Sequence, residues 1–260
     1  MKRLLRLAGH VPAKKLVLPE SRQSGFTFTE LLVVVALGAV LVGTVLPALN
    51  TASDTTKAAV CLANMHEWGM AISMYCEDWK DYFPYEGSGG TPIDGGSSLN
   101  AWFNVVPPYL HQLRLVDLYL AGKPPTPLTK GIWSCPSATN ITVSPTLSSP
   151  YFMYAFNGRM DPNGQAQFKR SQMVDPIRTI VFAEEAEDSF PNTTGKYCPA
   201  RHFGGGNFVM GDAHAEWVKY EDFCRACPAN GAADSNSGAA GGDWTTGIKY
   251  HWFPYRNAPT

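Results

Sequence analysis

The chain changes its hydrophobic pattern at residue 50. Residues 31–49 are nineteen positions without a charge, and from Phe26 to Leu49 only Glu30 is ionisable. A bilayer core of about 30 Å takes roughly 20 helical residues at 1.5 Å each, so this run has transmembrane length. A charge at the centre of such a helix costs about 2.5–3.5 kcal/mol on insertion scales, so a purposeless Glu30 is disfavoured. Beyond it, Leu62, Met65, Gly69, Ile72, Cys76 and Trp79 recur at spacings of three and four, which predicts an amphipathic continuation of the helix. Asn64, Glu67, Glu77, Asp78 and Lys80 lie off that stripe, and small residues, among them Ala48, Ala52 and Ser53, occupy the joint. Pro84 and the glycine-rich stretch 87–96 predict a stop near Asp81.

After residue 84 the pattern shortens and Gly, Pro, Asn, Ser and Thr become abundant, which predicts a loop-rich β domain. Residues 109–120 read as a short amphipathic helix with Leu110, Leu113, Val116 or Asp117, and Leu120 on one face. Strand-like runs follow at 132–135, 151–156 and 179–183. Residues 207–218 read as a hairpin turning at Gly211-Asp212. Residues 229–243 predict a mobile Ala/Gly/Ser/Asn loop, and the aromatic tail 244–255 is expected to dock on the sheet.

Charge adds a topology. Six of the 21 basic residues and one of the 22 acidic ones fall in 1–25, leaving fifteen against twenty-one in the remainder. Basic residues ahead of an apolar helix keep that end cytoplasmic and send the body across the membrane. The mildly acidic body argues against nucleic acid as a partner. Its six cysteines, Cys61, Cys76, Cys135, Cys198, Cys224 and Cys227, would then meet an oxidising compartment, where disulfides are the default and fifteen full pairings are open.

The order of leader and apolar run is inverted relative to a secretory signal, whose apolar core precedes its cleavage site. Gly25-Phe26-Thr27 with Glu30 ahead of the apolar run resembles the leader of type IV prepilins and type II secretion pseudopilins. The resemblance implies cleavage after Gly25 by a prepilin peptidase, methylation of the new amino terminus at Phe26, and an assembly role for Glu30. Pro47 falls where many pilins bend their helix. Residues 61–84 are similar to a family of bacterial pilin-like proteins with a C-x-x-N-x-x-x-x-G-x-A-x-x-x-Y helix ending in Phe-Pro. Cys61, Asn64, Gly69, Ala71, Tyr75, Phe83 and Pro84 fill those positions. The W-S-C-P-S at 133–137 matches that family too, and the resemblance implies a Cys61–Cys135 bridge. Residues 201–217 resemble the H-x9-D-G motif of prepilin-processing-associated proteins, with His202, Asp212 and His214 in place and Ala213 for the usual Gly. Because Ala disfavours positive φ, the turn is expected to shift by a residue.

These resemblances imply an α+β, pilin-like fold: a long N-terminal helix, transmembrane half plus amphipathic half, packed on an antiparallel β-sheet with long loops. The divisions are 1–25 leader, 26–50 transmembrane helix, 51–83 helical continuation and 84–260 exported domain.

The candidate chemistry is sparse. His202, Asp212 and His214 offer imidazole and carboxylate ligands for a divalent metal, against a structural hydrogen-bond set as the favoured reading. Cys224 and Cys227 read as a vicinal bridge, or as partners of Cys198 and Cys76, in preference to a redox or zinc pair. Glu184, Glu185, Glu187 and Asp188 read as a solvated acidic turn, with calcium as the alternative. No nucleophile elbow, P-loop or dinucleotide fingerprint is present. The expectation is therefore a non-enzymatic pilin or pseudopilin subunit without a required cofactor, in the bacterial inner membrane and then in a periplasmic or surface filament. Its partners would be prepilin peptidase, other pilin or pseudopilin subunits, an inner-membrane assembly platform and membrane lipid. A tethered extracytoplasmic ligand-binding protein and an anchored metal-dependent enzyme are the alternatives, in that order.

Overall fold

Both hydrophobic styles fold into one helix, α1 (Phe28–Asp78). The structure, a computed structural model, describes residues 25–87, 93–126, 129, 131–138, 145–160, 168–188, 190–193, 198–223, 249–252 and 254. The leader before Gly25, the Cys224/Cys227 pair, the 229–243 loop and most of the aromatic tail lie outside these. The chain divides into two compact units, 1–49 and 50–260.

In the first unit the start of α1 is capped by its own sequence. Thr27 is the N-cap and Glu30 the third helical residue. The Glu30 N–H donates to Thr27 Oγ1 at 3.2 Å, while the Thr27 N–H and hydroxyl each donate to Glu30 Oε2 at 2.8 Å. This reciprocal capping box satisfies donors that a helix end otherwise leaves open. The helix continues through Pro47, whose missing N–H leaves the Gly43 carbonyl without its helical donor. Thr44 turns its hydroxyl back onto the Val40 and Leu41 carbonyls, so it presents little polarity outward. Leucines and valines on every side of this stretch are exposed in the isolated chain. The helix is long and apolar enough to cross a membrane.

In the second unit α1 buries Cys61, Met65, Trp68, Ile72 and Cys76, with Asn64, Gly69, Ala71 and Tyr75 beside them. The stripe is rotated from the expected one. Asn64 is inside, and Trp79 lies past the helix end, stacked on Tyr75 and more than half exposed. Trp68 sets this rotation: its indole donates to the Ile132 carbonyl at 3.0 Å and packs against Trp102, Trp133 and Phe182. After Asp78 the chain turns through left-handed Lys80 and Asp81, and the Asp81 N–H closes on the Cys76 carbonyl.

Two short helices follow, α2 (Trp102–Val105) and α3 (Leu115–Leu120). The expected helix over 109–120 is only half formed. A 3-10 turn over Pro107–Leu110 ends at left-handed His111, and α3 starts afresh. Leu115 and Val116 are buried, whereas Leu113 and Leu120 are exposed. Asn104 fixes this arrangement by accepting the Val116 N–H and donating to the Ile93 and Ser98 carbonyls.

The sheet contains β1 (Phe152–Asn157), β2 (Ile180–Asp188), β3 (Asn192–Thr193), β4 (Gly205–Met210) and β5 (Ala215–Lys219), in the order β3-β1-β2-β4-β5. All pairings are antiparallel except β1 with β3, so the sheet is mixed, not antiparallel throughout. Residues 132–135 form turns, not a strand. Ile132 and Ser134 spend their carbonyls on side chains of α1 instead of a ladder. Strands β1 and β4 are buried along their whole length because both sheet faces are covered. Val209 and Phe182 face α1, and Phe208 and Met210 face a second cluster with Phe223 and Trp252. That cluster includes Tyr250 and Trp252 from the described part of the tail. An irregularity between Ile180 and Phe182 lets Val181 join the α1 side as well.

Candidate functional site

Three motifs that lie far apart in the chain meet under the sheet. Cys61 and Asn64 come from one face of α1, Cys135 from the turn at 131–138, and His202 from the bridge that precedes β4. Cys61 and Cys135 form the disulfide, with Cα atoms 5.2 Å apart. By the chain-entropy relation a bridge across a separation of 74 residues stabilises by about 4.5 kcal/mol. His202 Nε2 lies 3.5 Å from Cys135 Sγ and 2.8 Å from Glu184 Oε1. Asn207 of β4 donates its backbone N–H to Glu184 Oε2 and its amide to Oε1. Asn64 donates to the Ser134 carbonyl and to the Tyr154 hydroxyl. Burial, together with the nearby Glu184 charge, raises the Tyr154 phenol far above its ordinary range.

The backbone holds His202 still. Its N–H and carbonyl exchange hydrogen bonds with Gly205, and the Trp217 indole donates to the same carbonyl at 2.6 Å. Glu184 and His202 are each only 1% exposed. The expected solvated acidic turn is thus a strand, and Glu184 and Glu185 are buried in it. A buried carboxylate is tolerated because His202 and Asn207 supply its hydrogen bonds. The side chains of Glu187 and Asp188 lie outside the described set. Sequence reasoning missed Tyr154, Asn207 and the role of Glu184. The usable signal was the position of Glu184, which falls two residues after Phe182 on an otherwise apolar strand.

The structure does not bring His202 together with Asp212 and His214. Strand β4 separates them, six residues or about 20 Å at roughly 3.3 Å each. Asp212 and His214 sit on the opposite hairpin turn. Asp212 Oδ1 pairs with His214 Nδ1 at 2.5 Å, and His214 Nε2 lies 3.4 Å from Glu216. Burial lowers the His214 pKa, but the Asp212 hydrogen bond and charge, helped by Glu216, outweigh it and the net shift is upward. The turn takes in one residue more than the expected Gly211-Asp212. The Ala213 N–H donates to the Met210 carbonyl and the Met210 N–H to the His214 carbonyl, a three-residue loop closed by a left-handed residue. That residue is Ala213, with φ 73°. It keeps its place because its carbonyl lies against α1, where a Cβ on Gly69 would come within 2.5 Å of it. Gly69 is therefore the seat of the hairpin, a role that helix periodicity alone does not disclose.

Cys76 and Cys198 carry free, buried thiols, so the bridges expected to them are not formed. Burial is the main force that pushes the Cys76 thiol up to about 12.

Residues 21–46 match the family described as "Prokaryotic N-terminal methylation motif". This prepilin-type motif covers Gly25, Phe26 and Glu30, and implies processing by a prepilin peptidase. With the apolar start of α1 it is consistent with a membrane-anchored protein of the prepilin route and supports the type IV pilin-like family. Comparison with curated proteins and with solved structures finds no match.

Proposed function

We propose that this chain is a pilin-like or pseudopilin subunit, cut after Gly25, methylated on Phe26, and assembled through its N-terminal helix into a type IV pilus or a type II secretion pseudopilus. The observation that carries the reading is the methylation motif continuing without interruption into a helix whose apolar side chains are exposed on every side. Such a surface is stable only in lipid or against other apolar helices. The body would be exported, in line with the basic residues that precede the helix. In the assembly, Glu30 of one subunit would meet the terminal ammonium of its neighbour, so that two charges disfavoured in hydrocarbon offset each other. The role is structural and not enzymatic.

The test is mass spectrometry of the mature amino terminus combined with electron microscopy of sheared surface material. The expected result is an N-methylated Phe26 and filaments containing this chain, with Glu30→Ala inserting normally but absent from filaments. Normal filament incorporation by that variant would sink the pairing. A membrane-tethered binding protein would instead show cleavage with no filament and no dependence on Glu30.

A further inference from the structure

Cys61, Cys135, Glu184 and His202 place two sulfurs, one carboxylate oxygen and one ring nitrogen within 4.8 Å of one another, and all four residues are buried. Tetrahedral zinc, with bonds of about 2.0–2.3 Å, spaces its ligand atoms about 3.3–3.8 Å apart. The set therefore closes around an ion with side-chain shifts of about an ångström. Two thiolates, an imidazole and a carboxylate suit a borderline-soft divalent ion, and an oxygen-seeking ion such as calcium would not choose this set.

We propose that these four residues form a thiol-gated zinc site. With Cys61 and Cys135 bridged the site is closed to metal. With the bridge open, both sulfurs, His202 Nε2 and a Glu184 oxygen bind one zinc-class ion. Opening needs two electrons and two protons, supplied by an external dithiol that leaves as its own disulfide. When the ion enters, both thiols lose their protons to water. His202 binds as neutral imidazole, with its hydrogen on Nδ1.

The surroundings are already those of a metal site. The four ligands come from α1, the 131–138 turn, β2 and the bridge before β4, so none depends on a free loop end. The Asn207 N–H and amide hold the Glu184 carboxylate, and the Trp217 indole and Gly205 hold the His202 backbone. Supports of this kind orient metal ligands. The same seam between helix and sheet is thus fastened by a disulfide under oxidising conditions and by an ion under reducing ones. Asp212 and His214 take no part.

The test uses the full-length chain in detergent, with Cys76, Cys198, Cys224 and Cys227 changed to Ala so that only Cys61 and Cys135 remain. The protein is reduced with dithiothreitol, desalted without oxygen, and titrated with cobalt(II) and then zinc. The expected result is one cobalt per chain, with tetrahedral visible bands and a thiolate charge-transfer band, displaced by zinc and absent from the oxidised protein. Zinc should raise the melting temperature of the reduced protein and leave that of the oxidised protein unchanged. His202→Ala and Glu184→Gln should each weaken binding at least tenfold and alter the visible bands. X-ray absorption of the zinc-loaded parent needs no folded variant, and should give two sulfur and two lighter ligands. No cobalt uptake by the reduced, folded protein overturns the proposal. So does an unchanged spectrum and affinity in both variants, or a zinc shell with other than two sulfurs.

Discussion

Replacing Gly69 with Ala should destabilise the protein, although the same change in most helices does the opposite. An exposed helical Gly→Ala exchange gains about 0.8–1.0 kcal/mol from propensity. Here the new methyl would lie 2.5 Å from the Ala213 carbonyl oxygen and 2.9 Å from Val209 Cγ1. The backbone oxygen has no rotamer by which to escape, so the hairpin tip must retreat by about an ångström. Overpacking of this kind costs about 1–3 kcal/mol. The net loss is up to about 2 kcal/mol, or as much as about 4–8 °C in Tm for a domain of this size. The assay is thermal and urea unfolding of the full chain in detergent, followed by near-ultraviolet circular dichroism of the tryptophan cluster. Ala213→Gly supplies the companion. The left-handed conformation costs an L-residue about 1–2 kcal/mol, so this variant should gain about 1 kcal/mol. With a more adaptable turn it should also reduce the cost of Gly69→Ala, a coupling that a double-mutant cycle reads directly. A Gly69→Ala protein that melts higher than its parent would refute the close approach of hairpin and helix.

Two further outcomes follow from titration and burial. The folded His214 pKa is raised, so its contribution to stability is fully present below the unfolded value near 6.5 and is lost as pH rises through the folded value. Melting temperature measured from pH 5 to 9 should therefore fall more for the parent than for His214→Gln, and parallel curves would count against the Asp212 pairing. Because Cys76 and Cys198 are buried and their thiols are held protonated, iodoacetamide at neutral pH should label neither until the protein is unfolded. Labelling in the native state, read by peptide mass spectrometry, would contradict their burial.

Much of the long helix was legible because its signals are local. Charge-free length marks the first part, and spacings of three and four mark the second. Met65, Gly69, Ile72 and Cys76 of the expected stripe are buried. Its slight rotation was not legible, since that is decided by where Trp68 finds its partners: Ile132, 64 residues away, and the rings of Trp102 and Phe182. The family resemblance implies the Cys61–Cys135 pairing and the structure forms it, but the meeting of His202 and Glu184 with that bridge was not legible. The bridge joins positions 74 apart and the Cys135–His202 contact positions 67 apart, distances over which no periodicity operates. Glu184 was misread for a related reason. Clustered acids are commonly solvated, and only the register of β2 against β4 shows that this one faces Asn207 and His202. Ala213 shows the converse. Its local preference was read correctly, but packing against α1 overrode it.

The cap at the head of α1 has a consequence for a carboxylate placed beside lipid. Both donors of Thr27 fall on Oε2, and among the described residues no hydrogen bond reaches Oε1. Glu30 has one oxygen engaged inside its own chain and the other open, which under the proposed assembly leaves it a side for a neighbour. A cation could therefore be accepted at Oε1 without first undoing the helix start. Joining a neighbour would add a bond to a finished end, with no need to break one open.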